Sequence, residues 1–260
     1  MQFETLLVDR DGPAAIITLN RPEKRNAISF TMMDELVGAL AAVKDDADVR
    51  GVILTGAGDC FSAGVDLNAM RDIGGSGEFM DYMARWRRLN EAIEQHTKPV
   101  IAAIEGYCIT GGFELALACD LRVGARGSQY GITSSRIGTV PGAGGTQRLP
   151  RIVGIANALD LLFSADFIDA DAARTMGILN RLVDKGEALA TARAMVATYA
   201  TRAPLSLRYA KEAVHAGMQM PLADGIRFEA YVVSAIYQTE DKQEGVRAFL
   251  EKRPARFTGR

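Results

Sequence analysis

Residues 98–120 read KPVIAAIEGYCITGGFELALACD. Pro99 sets off an apolar run, Val100–Ile104, which breaks at Gly106 and again at Gly111-Gly112. A helical apolar pattern, Phe113–Ala118, follows at once and carries one carboxylate, Glu114, in its first turn. The pattern predicts a buried strand, a glycine-lined loop and a helix N-terminus in direct succession. Free backbone N–H groups and the positive end of the helix dipole then point out of the loop. Such a place binds a developing oxyanion, and Glu114 stands beside it. Taken alone, Glu114 also fits as an acidic residue favoured by the dipole at a helix start.

The same order occurs one segment earlier. Val52–Thr55 is a short buried run stopped by Gly56-Ala57-Gly58-Asp59, and a second small-residue loop, CFSAGVDL over Cys60–Leu67, follows it. Asp66 is placed to cap a helical start there. Ile73–Gly77 is glycine-rich and predicts a mobile hinge; Glu78–Gln95 is a long amphipathic helix carrying Met80, Met83, Trp86, Leu89 and Ile93. Upstream, Thr5–Val8 and Ala14–Leu19 flank Asp11-Gly12 as a hairpin. The polar loop Asn20–Ala27 carries the cations Arg21, Lys24 and Arg25, and Ser29 or Thr31 can cap the next helix.

Downstream, Leu121–Ala125 is a strand, Gln129–Ile132 is extended, and Ser134–Gly138 leads into PGAGGT at Pro141–Thr146. From Gly154 the sequence turns almost wholly helical: Ala156–Ser164, Ala170–Met176, Glu187–Thr201, Pro204–Gly217, Pro221–Thr239 and Asp241–Lys252. Arg181–Val183 is the one strand-like break, and Asp169 and Asp184 stand where N-caps are wanted. The class is therefore α/β with a helical region added at the C-terminus. The character of the sequence shifts near Gly154 without a linker, and the division taken is a core over residues 1–195 and a helical region over 196–260.

Composition narrows the function. The 260 residues are 48% hydrophobic and 24% charged, with a net charge of −2, as in an ordinary globular protein with a sizeable core. Neither a basic balance nor a recognition motif points to nucleic acid. The three cysteines, Cys60, Cys108 and Cys119, lie in apolar surroundings and predict buried thiols in a reducing compartment. With only His96 and His215, a His/Cys zinc site has almost no raw material, and no metal is expected. His96 lies near a helix C-terminus, where the dipole favours a cation, and His215 lies mid-helix near the surface. Early acidic residues, the lack of a signal-type block and the lack of a membrane-length run predict a cytoplasmic protein without a membrane partner. Phosphate-loop, dinucleotide, nucleophile-elbow and zinc-protease motifs are absent from the sequence.

Taken together, several stretches resemble the crotonase superfamily, the enoyl-CoA hydratase/isomerase family. They are Asn20-Arg21-Pro22 with Asn26-Ala27, FSAGVDL at Phe61–Leu67, Gly106-Tyr107 with GGFELA at Gly111–Ala116, Cys119-Asp120, GTVPGAGGTQRL at Gly138–Leu149, and the tail EGVRAFLEKR at Glu244–Arg253. Their order and spacing span nearly the whole chain, from Phe3 to Phe257. The resemblance implies a spiral of ββα turns with a C-terminal helical part that builds homotrimers, often paired into homohexamers. It implies acyl-CoA substrates of the kind met in fatty acid metabolism, with CoA as part of the substrate and no separate cofactor. The N–H groups of Val65 and Gly111 match the pair that holds the thioester oxygen. Lys24, Arg25, Ala27, Ala63, Asp66 and Leu67 match CoA-facing positions, the two cations beside the phosphates and Asp66 and Leu67 beside the adenine. Lys252 matches a tail lysine that reaches the nucleotide of a neighbouring subunit. Without the resemblance, each lone cation reads as a solvated surface charge.

The chain departs from the family's hydratases at one point. They use two glutamates; the first corresponds to Glu114, and the second position, twenty residues on, is Ser134 here. Adding water across a conjugated double bond requires water to lose a proton and the α-carbon to gain one. A serine can hold water but is a poor acid or base near neutral pH. Ordinary crotonyl-CoA hydration is therefore expected to be weak or absent. One carboxylate still supports a double-bond isomerisation or an atypical hydration through a stabilised enolate; protonation of an enolate left by decarboxylation, or acyl-CoA binding with little catalysis, are the alternatives. The acyl pocket is expected to be lined by Ile73–Trp86, Tyr107 or Ile109, Tyr130 and Ile137.

Overall fold

The computed structural model describes residues 2–71 and 73–260. The chain opens with the antiparallel pair β1 (Leu6–Asp11) and β2 (Ala14–Leu19), joined through Gly12. Helix α1 (Phe30–Lys44) follows, and of its two candidate caps Ser29 is used, its hydroxyl accepting the Met32 N–H. Three turns of one pattern come next. Strand β3 (Gly51–Gly56) leads to short strand β4 (Cys60–Ser62) and then to helices α2 (Leu67–Arg71) and α3 (Ser76–Glu94). Strand β5 (Val100–Ile104) leads to β6 (Tyr107–Ile109) and α4 (Gly111–Ala118). Strand β7 (Leu121–Ala125) leads to β8 (Gln129–Gly131), a 3-10 turn over Ser134–Ile137, and α5 (Gly145–Val153).

Each turn gives one strand to each of two sheets. The larger sheet runs β1-β2-β3-β5-β7-β10 and the smaller runs β4-β6-β8-β9, so the chain spirals through ββα units as expected. Side chains alternate across the large sheet, as a strand period of two requires. Val52 and Leu54, with Val100, Ala102 and Ile104, enter the main core beside α1, α3 and α4. Ile53, Ile101 and Ala103 face the opposite way. That second face is covered by a helix from the C-terminal third.

The remaining elements are α6 (Ile155–Ser164), β9 (Ile168–Asp169), α7 (Ala170–Thr175), β10 (Arg181–Val183), α8 (Ala188–Ala200), α9 (Pro204–Gly217), α10 (Leu222–Tyr237) and α11 (Glu240–Leu250). Helix α8 buries Ala188, Ala192 and Val196 on the second face of the sheet. Helices α9 and α10 bury no residue, which leaves Val214, Met218, Leu222 and Tyr231 exposed. Asp169 caps α7 as anticipated, but Asp184 caps nothing: α8 begins after Glu187, and Asp184 lies 3.6 Å from Arg126. Helix α5 was missed, because Pro150 and four glycines around it read as a loop; the proline sits inside the helix, where it cannot donate to the Thr146 carbonyl one turn back. Among the described residues, no helix is long and apolar enough to cross a membrane, and no His/Cys/Asp/Glu group is arranged to hold a metal.

Candidate active site

Strands β4, β6 and β8 lie side by side and parallel in the small sheet. Each is followed within three residues by one part of the site: Val65 after Ser62, Gly111 after Ile109, Ser134 after Gly131. The register of one small sheet therefore sets the spacing of all three.

The Val65 and Gly111 loops touch. A Cβ on Gly111 would fall 2.9 Å from Cγ2 of Val65 and 3.2 Å from the Trp86 ring. One on Gly64 would fall 2.9 Å from the Ile109 carbonyl and 3.3 Å from the Gly111 nitrogen. Gly64 also has φ +100°, a region that side chains disfavour. Ile28 clamps the first loop, donating to Gly64 O at 2.7 Å and accepting from Asp66 N at 3.0 Å. Among the described residues, the N–H groups of Val65 and Gly111 have no acceptor. Gly111 opens α4, so its N–H also carries the helix's positive end.

Thr110, just before Gly111, holds φ 47° and ψ −114°, a strained setting for a β-branched residue. Its hydroxyl lies 3.0 Å from that of Thr133 and accepts the Thr133 N–H at 3.2 Å. The start of α4 is thereby tied to the turn that bears Ser134.

Glu114 is 2% exposed. One carboxylate oxygen accepts the Gly145 N–H at 2.8 Å, and the Ala143 N–H and the Arg148 charge also favour ionisation. Desolvation outweighs them and raises the pKa from 4.5 to about 7. A carboxyl in that range gives and takes protons with nearly equal ease at neutral pH. Tyr82, buried on α3, interacts electrostatically with Glu114 and bonds to Trp86; burial pushes its phenol up to about 12, so it stays a neutral donor. Ser134 is 4% exposed, and among the described residues its hydroxyl has no hydrogen-bond partner. Of the carboxylates on the first turns of α3, Glu78 accepts the Gly74 N–H at 2.7 Å and Asp81 is exposed.

The 24–27 loop sits against the Val65 loop. Ala63 N donates to Arg25 O at 2.9 Å, and Ser62 Oγ donates to Asn26 O at 2.8 Å. Lys24 and Arg25 are exposed at its tip, Ala27 lies half-buried beneath them, and Leu67 is 60% exposed nearby. Asp66 accepts the Asn68 N–H, as a cap should, and pairs with Arg21 at 3.0 Å. Lys252 stands apart, in the turn after α11, and among the described residues no side-chain bond connects it to this loop.

Three expectations need correction. Tyr130 does not line an open pocket: its ring is fully buried against Phe113, and its hydroxyl meets Ser128 Oγ at 2.8 Å. Ser76 and Gly77, expected in a mobile hinge, form the first turn of α3. His96 does follow the C-terminus of α3, but it is no cation: burial lowers its pKa to about 4 against the opposing Leu40 and Lys98 carbonyls, so it stays neutral. Tyr107 is exposed beside Phe167, and Ile137 is exposed on the 3-10 turn.

Two touching glycine-lined loops thus present free N–H groups, and the helix that the second one opens carries a buried carboxyl of raised pKa, a geometry able to hold a developing oxyanion beside an acid/base. Residues 10–260 match the Enoyl-CoA hydratase/isomerase family, and the chain belongs to it. It is 38% identical over 261 residues, covering both chains completely, to the "Probable enoyl-CoA hydratase echA8" of Mycobacterium tuberculosis (strain CDC 1551 / Oshkosh). It is 36% identical over 258 residues, 99% of each chain, to the crotonyl-CoA hydratase of Syntrophomonas wolfei. The solved enoyl-CoA hydratase of Bacillus anthracis superposes with a TM-score of 0.94 at 35% identity, covering 99% of this chain and all of that one.

Proposed function

We propose that the protein is an enzyme acting on an acyl-CoA thioester through an enolate, with Glu114 as its single acid/base. The observation that carries this reading is the buried Glu114, of pKa about 7, beside the free N–H groups of Val65 and Gly111. Those two donors are the oxyanion hole for the thioester oxygen; their stabilisation grows as the oxygen gains charge. Glu114 takes a proton from one carbon of the enoyl chain and returns it to another, which shifts the double bond. Lys24 and Arg25 meet the CoA phosphates, and Ala27, Ala63, Asp66 and Leu67 frame the rest of the nucleotide.

A second reaction of the same site is hydration, which the names of the relatives favour. Glu114 would accept the proton of a water held by Ser134 as the oxygen bonds to the β-carbon, and would then give that proton to the α-carbon. The atoms balance with one carboxylate, at the cost of doing both transfers from one face. The exposed apolar residues of α9–α11 support a homotrimer or a pair of trimers, in which Lys252 would serve a neighbour's nucleotide.

Incubation with 2-enoyl- and 3-enoyl-CoA thioesters in deuterated water separates the readings. Isomerisation interconverts the two without mass gain beyond exchanged deuterium; hydration adds one water. Tight acyl-CoA binding with neither product would overturn both and leave a binding protein.

A further inference from the structure

The loop that holds Glu114 is itself held from behind. Ala143 O accepts Asn90 Nδ2 at 2.7 Å and Arg148 Nη1 at 3.2 Å. Arg148 in turn makes a two-pronged pair with Glu94, Nε to Oε1 at 2.6 Å and Nη2 to Oε2 at 2.7 Å. Gly144 takes φ +101°, and a Cβ there would collide with the Arg148 guanidinium. At Gly145, a Cβ would lie 2.9 Å from the Glu114 carboxylate. The chain from Glu94 to Glu114 is thus continuous: carboxylate, guanidinium, carbonyl, amide, carboxylate. Asn90 is buried, and a buried amide is costly unless its place is specific.

We propose that Asn90, Arg148 and Glu94 are positioning residues that fix the 143–145 loop and thereby the pose and electrostatic surroundings of the Glu114 carboxylate. The role rests on the reading of Glu114 as the acid/base. None of the three side chains hydrogen-bonds Glu114: Asn90 acts through the loop, and Arg148 acts through the loop and through its charge. Asn90 sets the loop's position without charge. Arg148 adds a positive charge that Glu94 largely neutralises.

The charged and titratable groups around Glu114 are few. Arg148 on α5 and Tyr82 on α3 interact with it directly, and Glu94 on α3 through its pair with Arg148; the thiols Cys60 and Cys108, on strands packed against α4, stay uncharged because burial raises both. Removing either partner of the Glu94–Arg148 pair breaks the same bridge, but it leaves opposite charges behind. Glu94→Gln leaves an unneutralised cation, and Arg148→Met leaves an unneutralised anion. A tie that merely joined α3 to α5 would respond alike to both.

The test is an infrared titration of the protonated Glu114 carboxyl band in the full-length protein, the band being assigned by its loss in Glu114→Gln. The wild-type midpoint is expected at about 7. Glu94→Gln should lower it and Arg148→Met should raise it, each by about half a unit, since charges that are partly screened act below the one to three units of a bare close pair. Arg148→Lys, which keeps the charge, should keep the wild-type midpoint and guards against a folding failure of Arg148→Met. Asn90→Ala should move the band to higher wavenumber and raise the midpoint, because the Gly145 hydrogen bond that loosens is one that favours the ionised form. Unmoved midpoints, shifts of one sign in both charge variants, or an unmoved band in Asn90→Ala would overturn the proposal. Because the titration needs no substrate, opposite shifts in a protein inert on every thioester would remove the functional reading alone. Turnover with unmoved midpoints would remove the brace alone.

Discussion

The Gly145 N–H donates to the Glu114 carboxylate at 2.8 Å across thirty-one positions of sequence. Two of the three spiral turns meet in that one bond. A glutamine at position 114 can still accept it, so Glu114→Gln should preserve the fold and acyl-CoA binding while removing the proton carrier. Turnover on the best enoyl-CoA should fall by about 10²–10⁴-fold, the usual contribution of a general acid/base. Steady-state kinetics beside a thioester-binding isotherm checks both halves; unchanged turnover would end the assignment.

Stability should respond to pH in a way that the same substitution exposes. Burial raises Glu114 from 4.5 to about 7, so its contribution is full below 4.5 and is lost as pH climbs to about 7. Burial lowers His96 from 6.5 to about 4, so its contribution is full above 6.5 and is lost as pH falls to about 4. The slopes oppose one another over the shared interval. In Glu114→Gln only the His96 slope remains, and stability between pH 4.5 and 6.5 should rise with pH more steeply than in the wild type, by about 2 kcal/mol across the interval. Urea unfolding at a series of pH values measures this. Parallel curves would show that Glu114 titrates normally.

Close packing between the loops makes a third prediction. Gly112 has no room for a methyl group, since its Cβ would lie 2.6 Å from that of Ser62. Gly112→Ala should therefore cost about 1–3 kcal/mol. Gly38, in the middle of α1, has nothing within 4 Å of the same position, and Gly38→Ala should gain about 0.5–1 kcal/mol. Thermal melts of the pair should move in opposite directions.

Ser134 offers a fourth. Its turn is pinned to the start of α4 through Thr110 and Thr133, so a longer side chain there would project from a fixed base. Ser134→Glu should raise hydration of a short 2-enoyl-CoA, followed as loss of the conjugated thioester absorbance. No gain, with folding and thioester binding intact, would mean that the pocket serves a different reaction.

The sequence was informative where chemistry is local. Gly111-Gly112 followed by Glu114 announces a strand, a loop and a helix start within one window, and the structure has them there. The pairing of Val65 with Gly111 came from resemblance, because nothing in either window says that β4 and β6 are neighbours. Asn90, Arg148 and Tyr82 were not singled out. Asn90 and Tyr82 lie on a helix whose pattern reads as an ordinary amphipathic face, Arg148 lies on a helix that reads as a loop, and the part of each depends on which carbonyl or carboxylate the fold brings opposite. His96 misled for the same reason: its neighbourhood is set by α1, more than fifty residues away.

The small sheet has a consequence for how such a protein can change. Its three parallel strands act as a jig that fixes where three loops emerge, and the loops brace one another, Gly64 against Gly111 and Thr110 against Thr133. A change at one exit leaves the other two in place when it spares those contacts. Ser134 is such a position: its hydroxyl has no hydrogen-bond partner among the described residues, so its side chain can change without breaking those contacts. Under the function proposed above, reaction type is then separable from thioester activation, and a lineage can explore new chemistry at that loop without rebuilding the paired donors.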